Sequence, residues 1–403
     1  MKVLLCSTLY HPNTVGGAER SVQLLAESLA AAGHEMVVVT LGRERAPRTA
    51  EISGVRVYYL PVRNLYWPLV EPRPGVVRKA LWHTVDTYNP WMAAAVGEVL
   101  NYERPGLVHT DNIAGFSVAV WRAVRSRGLP LVHTLHDQYL LCPRNTMFKN
   151  GRDCKSQCVE CCLYGFPRKW ASGLVDVVTG VSRFILDRHI RYGYFPGVPQ
   201  AVIYLDSANR VPGASRHGQP ATAYAGPLRV GYLGRLHPTK GVDRLVRAFL
   251  SLPRGAADLK IAGSGKPEDE ATLRALAPDR EDISWLGFVP PEALLSALDV
   301  LVVPSLWHDT APRVVFEAFV HGVPVVGSNR GGIPELIADG TGWLFDPDDP
   351  VALATVLRRC VEERASLPAM GARAREYARR FSPEAVVAGY VETYKTALRM
   401  KRG

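Results

Sequence analysis

Residues 307–335 read WHDTAPRVVFEAFVHGVPVVGSNRGGIPE. Two acids, Asp309 and Glu317, flank Pro312, and a glycine-rich turn ends in Pro334-Glu335. Proline lacks an N–H and has a fixed φ, so Pro312 suits the first position of a helix. The spacing predicts that helix over 312–320 and a strand over 323–327. The helix would aim the N–H groups of Arg313 and Val314 at a ligand, at the end where the helix dipole favours an anion. Asp309 then lies in the loop before the helix, and Glu317 more than one turn into it. A carboxylate accepts hydrogen bonds from two vicinal hydroxyls at once. The pattern therefore suits a phosphorylated, hydroxyl-rich ligand. The plainer alternative makes Asp309 a helix cap and Glu317 a surface acid, although Phe316, Ala318 and Phe319 flank Glu317.

The same alternation of apolar run and helix extends in both directions. Strands are predicted over 229–233, 258–262, 283–286 and 300–303, with a helix from Val242. Near the start, 3–6 reads as a strand. A helix follows from Ala18, with Val22, Leu25, Ala26 and Leu29 on one face, and Gly33 ends it. Further strands are predicted over 36–40, 107–109, 130–135, 175–180 and 200–204. Alternating strands and helices imply parallel sheets covered on both faces. Residues 207–227, rich in Pro, Gly, Ala and Ser, read as a linker. The fold class is therefore α/β, with two Rossmann-like domains facing across a cleft. The expected division is 1–206, with a cysteine-rich insert at 142–162, then the linker, 228–381, and a C-terminal helix over 382–403 that crosses back to the first domain. Ser382 suits the N-cap of that helix and Pro383 its first turn.

The totals agree with two domains. A chain of 403 residues is long for one core. Charged residues make up 21% and apolar residues 47%, ordinary for a globular protein. No apolar run approaches the roughly 18 residues of a spanning helix, and the apolar run near Met1 is short for a signal peptide. The expected location is cytoplasmic. The net charge of +10 is uneven: residues 1–205 hold 23 Lys+Arg against 15 Asp+Glu, and the remainder holds 25 against 23. A basic half suits a polyanion or an anionic membrane surface, with an arginine-rich solvated surface that has no partner as the alternative. No nucleic-acid motif is visible, so nucleic acid is not an expected partner.

A second loop bears on the ligand. Gly234-Arg235-Leu236-His237-Pro238-Thr239-Lys240-Gly241 follows a strand and precedes a helix. An arginine fork and a lysine point charge beside a helix N-terminus suit a diphosphate. The spacing is not that of a Walker loop, and a solvated basic loop is the alternative.

With both halves in view, the chain resembles family 4 retaining glycosyltransferases of the GT-B fold. The resemblance rests on the Gly16-Gly17 loop and its helix, His136 in HTLHDQYLLCP, Arg235 with Lys240, IAGSG at 261–265 and LGFVP at 286–290. It rests above all on the acid pair before HGVPVV. That pair is the family's E-x7-E signature, with one departure, Asp309 in place of the first glutamate. The resemblance implies that Arg235 and Lys240 hold the donor pyrophosphate and that Glu317 binds the ribose. Asp309, with the N–H groups of Arg313 and Val314, would hold the transferred sugar. Gly265, Gly287, Phe288 and Val289 would line the nucleotide, and Gly16 and Gly17 would approach the diphosphate. His136 would face the donor sugar without acting as a general base. The co-substrate would be a UDP- or GDP-linked sugar, with no catalytic metal required. The acceptor would be a glycan or a lipid-linked glycan in polysaccharide or glycolipid assembly. A sugar-phosphate synthase, a nucleotide-sugar epimerase and a non-catalytic sugar-nucleotide-binding subunit under metal or redox control are the alternatives.

Five of the seven cysteines fall between 142 and 162. Cys142, Cys154, Cys158 and Cys161 form a candidate structural zinc set, with Cys158 and Cys161 as the knuckle pair. Free thiols, a disulfide and an iron–sulfur cluster are the alternatives. The insert also carries Arg144, Lys149, Arg152 and Lys155, which would shape the acceptor side. Between 58 and 92, Tyr66, Trp67, Trp82 and Trp91 mix with Arg63, Arg73, Arg78 and Lys79. Such a mixture suits peripheral docking on a bilayer or stacking on sugars, with ordinary packing as the alternative.

Overall fold

The computed structural model describes residues 1–13, 16–67, 74–205, 226–338 and 340–402. The linker expected over 207–227 lies outside these residues except for Gly226 and Pro227, and Arg73 lies outside them too. The chain divides into two compact units. The first comprises Met1–Met147, Cys154–Asp206 and Pro383–Gly403, and the second comprises Phe148–Asp153 and Ser207–Ser382.

In the first unit, β1 (Lys2–Cys6), β2 (Glu35–Gly42), β3 (Arg48–Ile52), β4 (Val55–Pro61), β5 (Leu107–Thr110) and β6 (Leu131–Leu135) build most of the sheet. A short hairpin, β7 (Phe148–Lys149) and β8 (Arg152–Asp153), precedes the last two strands, β9 (Val177–Gly180) and β10 (Gln200–Val202). The sheet order is β10-β9-β6-β5-β1-β2-β4-β3. All its pairs are parallel except β3 with β4. Parallel strands are covered on both faces, so they read as continuous apolar runs. Val3, Leu4, Leu5 and Cys6 are all fully buried.

Helix Gly17–Ala31 buries Val22, Leu25, Ala26 and Leu29, the face that the sequence spacing predicts. The antiparallel β3–β4 pair is an element that the alternation did not predict. Its turn uses Ser53 (φ 51°) and Gly54 (φ 77°), the left-handed pair of a two-residue hairpin. Helix Pro383–Arg402 returns to this unit. Val386, Tyr390, Tyr394 and Ala397 share a core with Val3, Leu5 and Leu29, and the Tyr394 hydroxyl lies 2.9 Å from His109 Nδ1.

The second unit holds a six-stranded sheet of β11 (Leu228–Leu233), β12 (Ala257–Ala262), β13 (Ile283–Gly287), β14 (Val300–Val303), β15 (Val325–Ser328) and β16 (Gly342–Phe345). Every pair is parallel, and the order is β13-β12-β11-β14-β15-β16. Counted within the unit, this is the doubly wound order 3-2-1-4-5-6. The connections reverse direction between β11 and β14, which makes the carboxyl ends of these two strands the topological switch point of the sheet. The helix expected over 312–320 spans Arg313–Val320, with Pro312 as its N-cap in extended backbone.

Candidate functional site

The loops that leave β11 and β14 meet at this switch point. Leu306 donates its N–H to the Thr239 carbonyl at 2.8 Å. Lys240 Nζ stands 2.5 Å from Asp309 Oδ2, and its ammonium lies 5.3 Å from the centre of the Trp307 ring. Asp309 is 7% exposed, so its charge is nearly out of water and its lysine partner matters. The Tyr232 hydroxyl donates to the Arg235 carbonyl at 2.8 Å and fixes the start of the first loop. Burial, followed by the nearby Asp309 charge, pushes the Tyr232 phenol far up, so it remains a neutral donor. Arg235 is exposed at the mouth of the loop.

One turn into helix Arg313–Val320, Glu317 Oε1 lies 3.4 Å from Arg313 Nη2. The Glu317 side chain is 14% exposed, so it is not a surface acid. The glycine-rich turn closes the site from the other side. Gly331 has φ +59°, and a Cβ there would come within 2.1 Å of the Asp309 carbonyl oxygen. Gly332 donates its N–H to that same carbonyl at 2.8 Å.

The remaining nucleotide candidates sit at the ends of neighbouring strands. Gly234 donates to the Ala262 carbonyl at 3.0 Å, and Gly263 donates to the Gly287 carbonyl at 2.7 Å. Gly265 donates its N–H to Glu270 Oε1 at 2.7 Å. Phe288, just past β13, is 87% exposed, beside Gly287 and Val289. The second unit thus brings Arg235, Lys240, Asp309, Arg313, Val314, Glu317, Gly265, Gly287, Phe288 and Val289 to the carboxyl edge of one sheet.

Gly16, Gly17 and His136 belong to the first unit. Gly16 donates its N–H to Glu19 Oε2 at 2.8 Å, at the start of the helix that Gly17 opens. His136 directly follows β6 and Asp111 directly follows β5, and His136 Nε2 lies 3.1 Å from Asp111 Oδ2. Both side chains are buried. Burial alone would lower the His136 pKa, but the charge and hydrogen bond of Asp111 outweigh it and hold it above its ordinary value. Burial would raise the Asp111 pKa, but His136 outweighs it and holds it below. A charged pair results. Asp111 escaped the sequence reading, although its place just after a predicted strand is where a parallel α/β sheet puts functional side chains.

The seven cysteines include the expected zinc set, Cys142, Cys154, Cys158 and Cys161, which lies in the first unit. All seven are free thiols. Cys158 Sγ lies 3.6 Å from Cys161 Sγ. Cys161 also hydrogen-bonds Cys142, and with amide contacts from Arg144 and Met147 this brings the Cys142 thiol down to about 6. Among the described residues, no group of three or more His, Cys, Asp or Glu side chains is arranged to hold a metal ion. The sulfurs of Cys142, Cys158 and Cys161 thus lie in one hydrogen-bonded group. No helix among the described residues is long and apolar enough to cross a membrane.

Comparison with known proteins agrees with this geometry. Residues 15–205 match Glycosyltransferase Family 4, and residues 227–363 match Glycosyl transferases group 1. The chain is 34% identical to an "Uncharacterized 42.6 kDa protein in cps region" of Klebsiella pneumoniae, covering 83% of this chain and 87% of that protein. It is 29% identical to a D-inositol 3-phosphate glycosyltransferase of Streptomyces avermitilis, covering 98% and 87%. Among solved structures, sucrose-phosphate synthase from Thermosynechococcus elongatus superposes with a TM-score of 0.77 at 22% identity, over 99% of each chain. At that identity the likeness shows the fold alone, which is GT-B.

Proposed function

The chain belongs to glycosyltransferase family 4, and from that premise we propose that it is a retaining hexosyltransferase. It moves a sugar from a nucleoside-diphosphate donor to a glycan or lipid-linked acceptor. The observation that carries this reading is the Lys240–Asp309 pair, at 2.5 Å, at the switch point of the second sheet.

A lysine ammonium has three N–H groups. Lys240 can keep one on Asp309 and turn the others to a diphosphate. Arg235, at the loop mouth, adds a second cation, and the N–H groups of Arg313 and Val314 add the positive end of a helix. Together they offset charge that develops on the leaving diphosphate, where fixed donors act most strongly. Asp309 accepts hydroxyls of the transferred sugar and Glu317 those of the ribose. Gly265, Gly287, Phe288 and Val289 line the base, and Gly16 and Gly17 admit the diphosphate closely. His136, kept charged by Asp111, donates to a sugar hydroxyl. Retention then needs front-face attack, with a donor phosphate oxygen taking the acceptor proton. The excess of Lys and Arg in residues 1–205 supports an acceptor that is polyanionic or carried at an anionic membrane surface.

The test is a transfer assay with UDP- and GDP-sugars and glycan or lipid-linked acceptors, with the anomeric configuration of the product read by NMR. Net transfer with retained configuration is expected. Lys240→Ala should lower kcat/KM at least about a hundredfold by removing a leaving-group cation. Asp309→Glu should change the ratio of kcat/KM between donor sugars. An inverted product overturns the mechanism. Formation of a sugar phosphate, or of an epimerised donor without transfer, overturns the reaction class.

A further inference from the structure

We propose that Asp153 is a positioning residue of the donor site, setting Asp309 through His308. The proposal rests on the reading that Asp309 holds the transferred sugar. Hairpin Phe148–Asp153 groups with the second unit, although the chain on either side of it groups with the first. It is a two-residue hairpin. Phe148 pairs with Asp153 and Lys149 with Arg152, and Asn150 and Gly151 turn it in left-handed backbone.

At the end of the hairpin, one carboxylate engages three groups. Asp153 Oδ1 accepts the backbone N–H of His308 at 3.3 Å. Asp153 Oδ2 lies 3.3 Å from His308 Nε2 and 3.5 Å from Arg330 Nε. These side chains are only 17% to 24% exposed, so the contacts are largely shielded from water. On the far side of the imidazole, Nδ1 accepts the N–H of Gly331 at 3.2 Å. An acceptor nitrogen carries no proton, so the ring's hydrogen sits on Nε2 and points at Asp153.

The backbone of residues 308–309 is thereby gripped from two directions. Asp153 holds the His308 amide and ring, while Gly332 holds the Asp309 carbonyl at 2.8 Å. The Asp309 carboxylate then lies against Lys240. This bracing bears on the departure at 309. A shorter acid keeps its reach only if its loop is held inward, and the grip on His308 supplies that hold. Misplacement of a binding group by about 1 Å can cost as much as a hundredfold in rate. Asp153 touches none of the reacting atoms, so its effect travels through His308.

The test is calorimetric titration of the full chain with UDP, GDP, UDP-glucose and GDP-mannose. The chain is taken as wild type, Asp153→Asn, His308→Asn and the double variant. His308→Asn keeps an acceptor for Gly331 and the backbone N–H to Asp153, but its side chain no longer reaches Asp153. Each single variant should weaken the preferred nucleotide-sugar about tenfold. Each should leave the matching free diphosphate within about twofold, because Arg235 and Lys240 bind it without Asp309's sugar contact. The double variant should bind no worse than either single one. Unchanged nucleotide-sugar affinity in Asp153→Asn overturns the proposal. So does parallel loss of nucleotide-sugar and diphosphate, which marks a purely structural role, and so do additive losses. A wild-type chain that binds none of the four overturns the donor-site reading itself, and the wild-type titration alone reveals that.

Discussion

A carboxylate on a side chain one methylene shorter reaches about 1.3–1.5 Å less. Asp309 therefore depends on where its loop is held, and Lys240, Gly332 and the His308 network all bear on that position. The Asp111–His136 pair shows the same dependence of a charge on its partner, and it yields a pH prediction. The pKa of His136 is raised above its ordinary 6.5, so its stabilising contribution is fully present below 6.5 and fades as pH rises through the raised value. The pKa of Asp111 is held below its ordinary 3.8, so its contribution is present above 3.8 and fades as pH falls through the depressed value. The pair thus stabilises most between pH 3.8 and 6.5. Asp111→Asn should cost about 3 kcal/mol near pH 5 and less near pH 9. Urea unfolding at the two pH values measures the difference, and equal losses would discount the pair. Asp309, Glu317 and Lys240 were legible because each lies in a short strand–loop–helix segment whose spacing betrays it. Asp111 and Asp153 were not, because their partners lie on other elements. Asp153 meets His308 across 155 residues of chain.

At the scale of elements, the parallel strands announce themselves because both faces are buried. The antiparallel β3–β4 pair does not, since β3 is largely exposed and reads as polar chain. The start of the helix near Pro312 is off by one residue because proline serves equally in extended backbone as an N-cap. What the strand pattern leaves out is how closely the strand ends approach one another. Gly263 has φ +133°, and a Cβ there would stand 1.7 Å from the Gly234 carbonyl oxygen, which belongs to backbone and cannot swing aside. Gly263→Ala must either push apart the turns after β11 and β12 or break the bond from Gly263 to the Gly287 carbonyl. We expect a loss of more than about 3 kcal/mol in the second unit, with weaker nucleotide binding. An alanine variant with unchanged thermal unfolding would mean that these turns separate at little cost.

At the scale of the whole chain, sequence order and spatial grouping part company at the C-terminus. Residues 383–402 follow the second unit in sequence but pack in the first, the return expected of the C-terminal helix, although local periodicity alone does not reveal it. Helix Pro383–Arg402 places Val386, Tyr390, Tyr394 and Ala397 in the core built on β1 and helix Gly17–Ala31. The second unit has a separate core, which among the described residues takes none from this helix. Removing the helix uncovers both its own apolar face and the one that it covers. At about 25 cal/mol per Å², a few hundred Å² of exposed apolar surface costs on the order of 5–10 kcal/mol. That is comparable to the whole stability of a domain, about 5–15 kcal/mol. A chain ending at Ser382 should therefore lose the cooperative transition of its first unit while keeping that of the second. Differential scanning calorimetry of the full and shortened chains distinguishes the cases, with a hydrophobic dye reporting the uncovered core. If the shortened chain keeps both transitions, the helix is an accessory to the first unit. If it loses both, the two cores fold as one cooperative body and their division is only geometric.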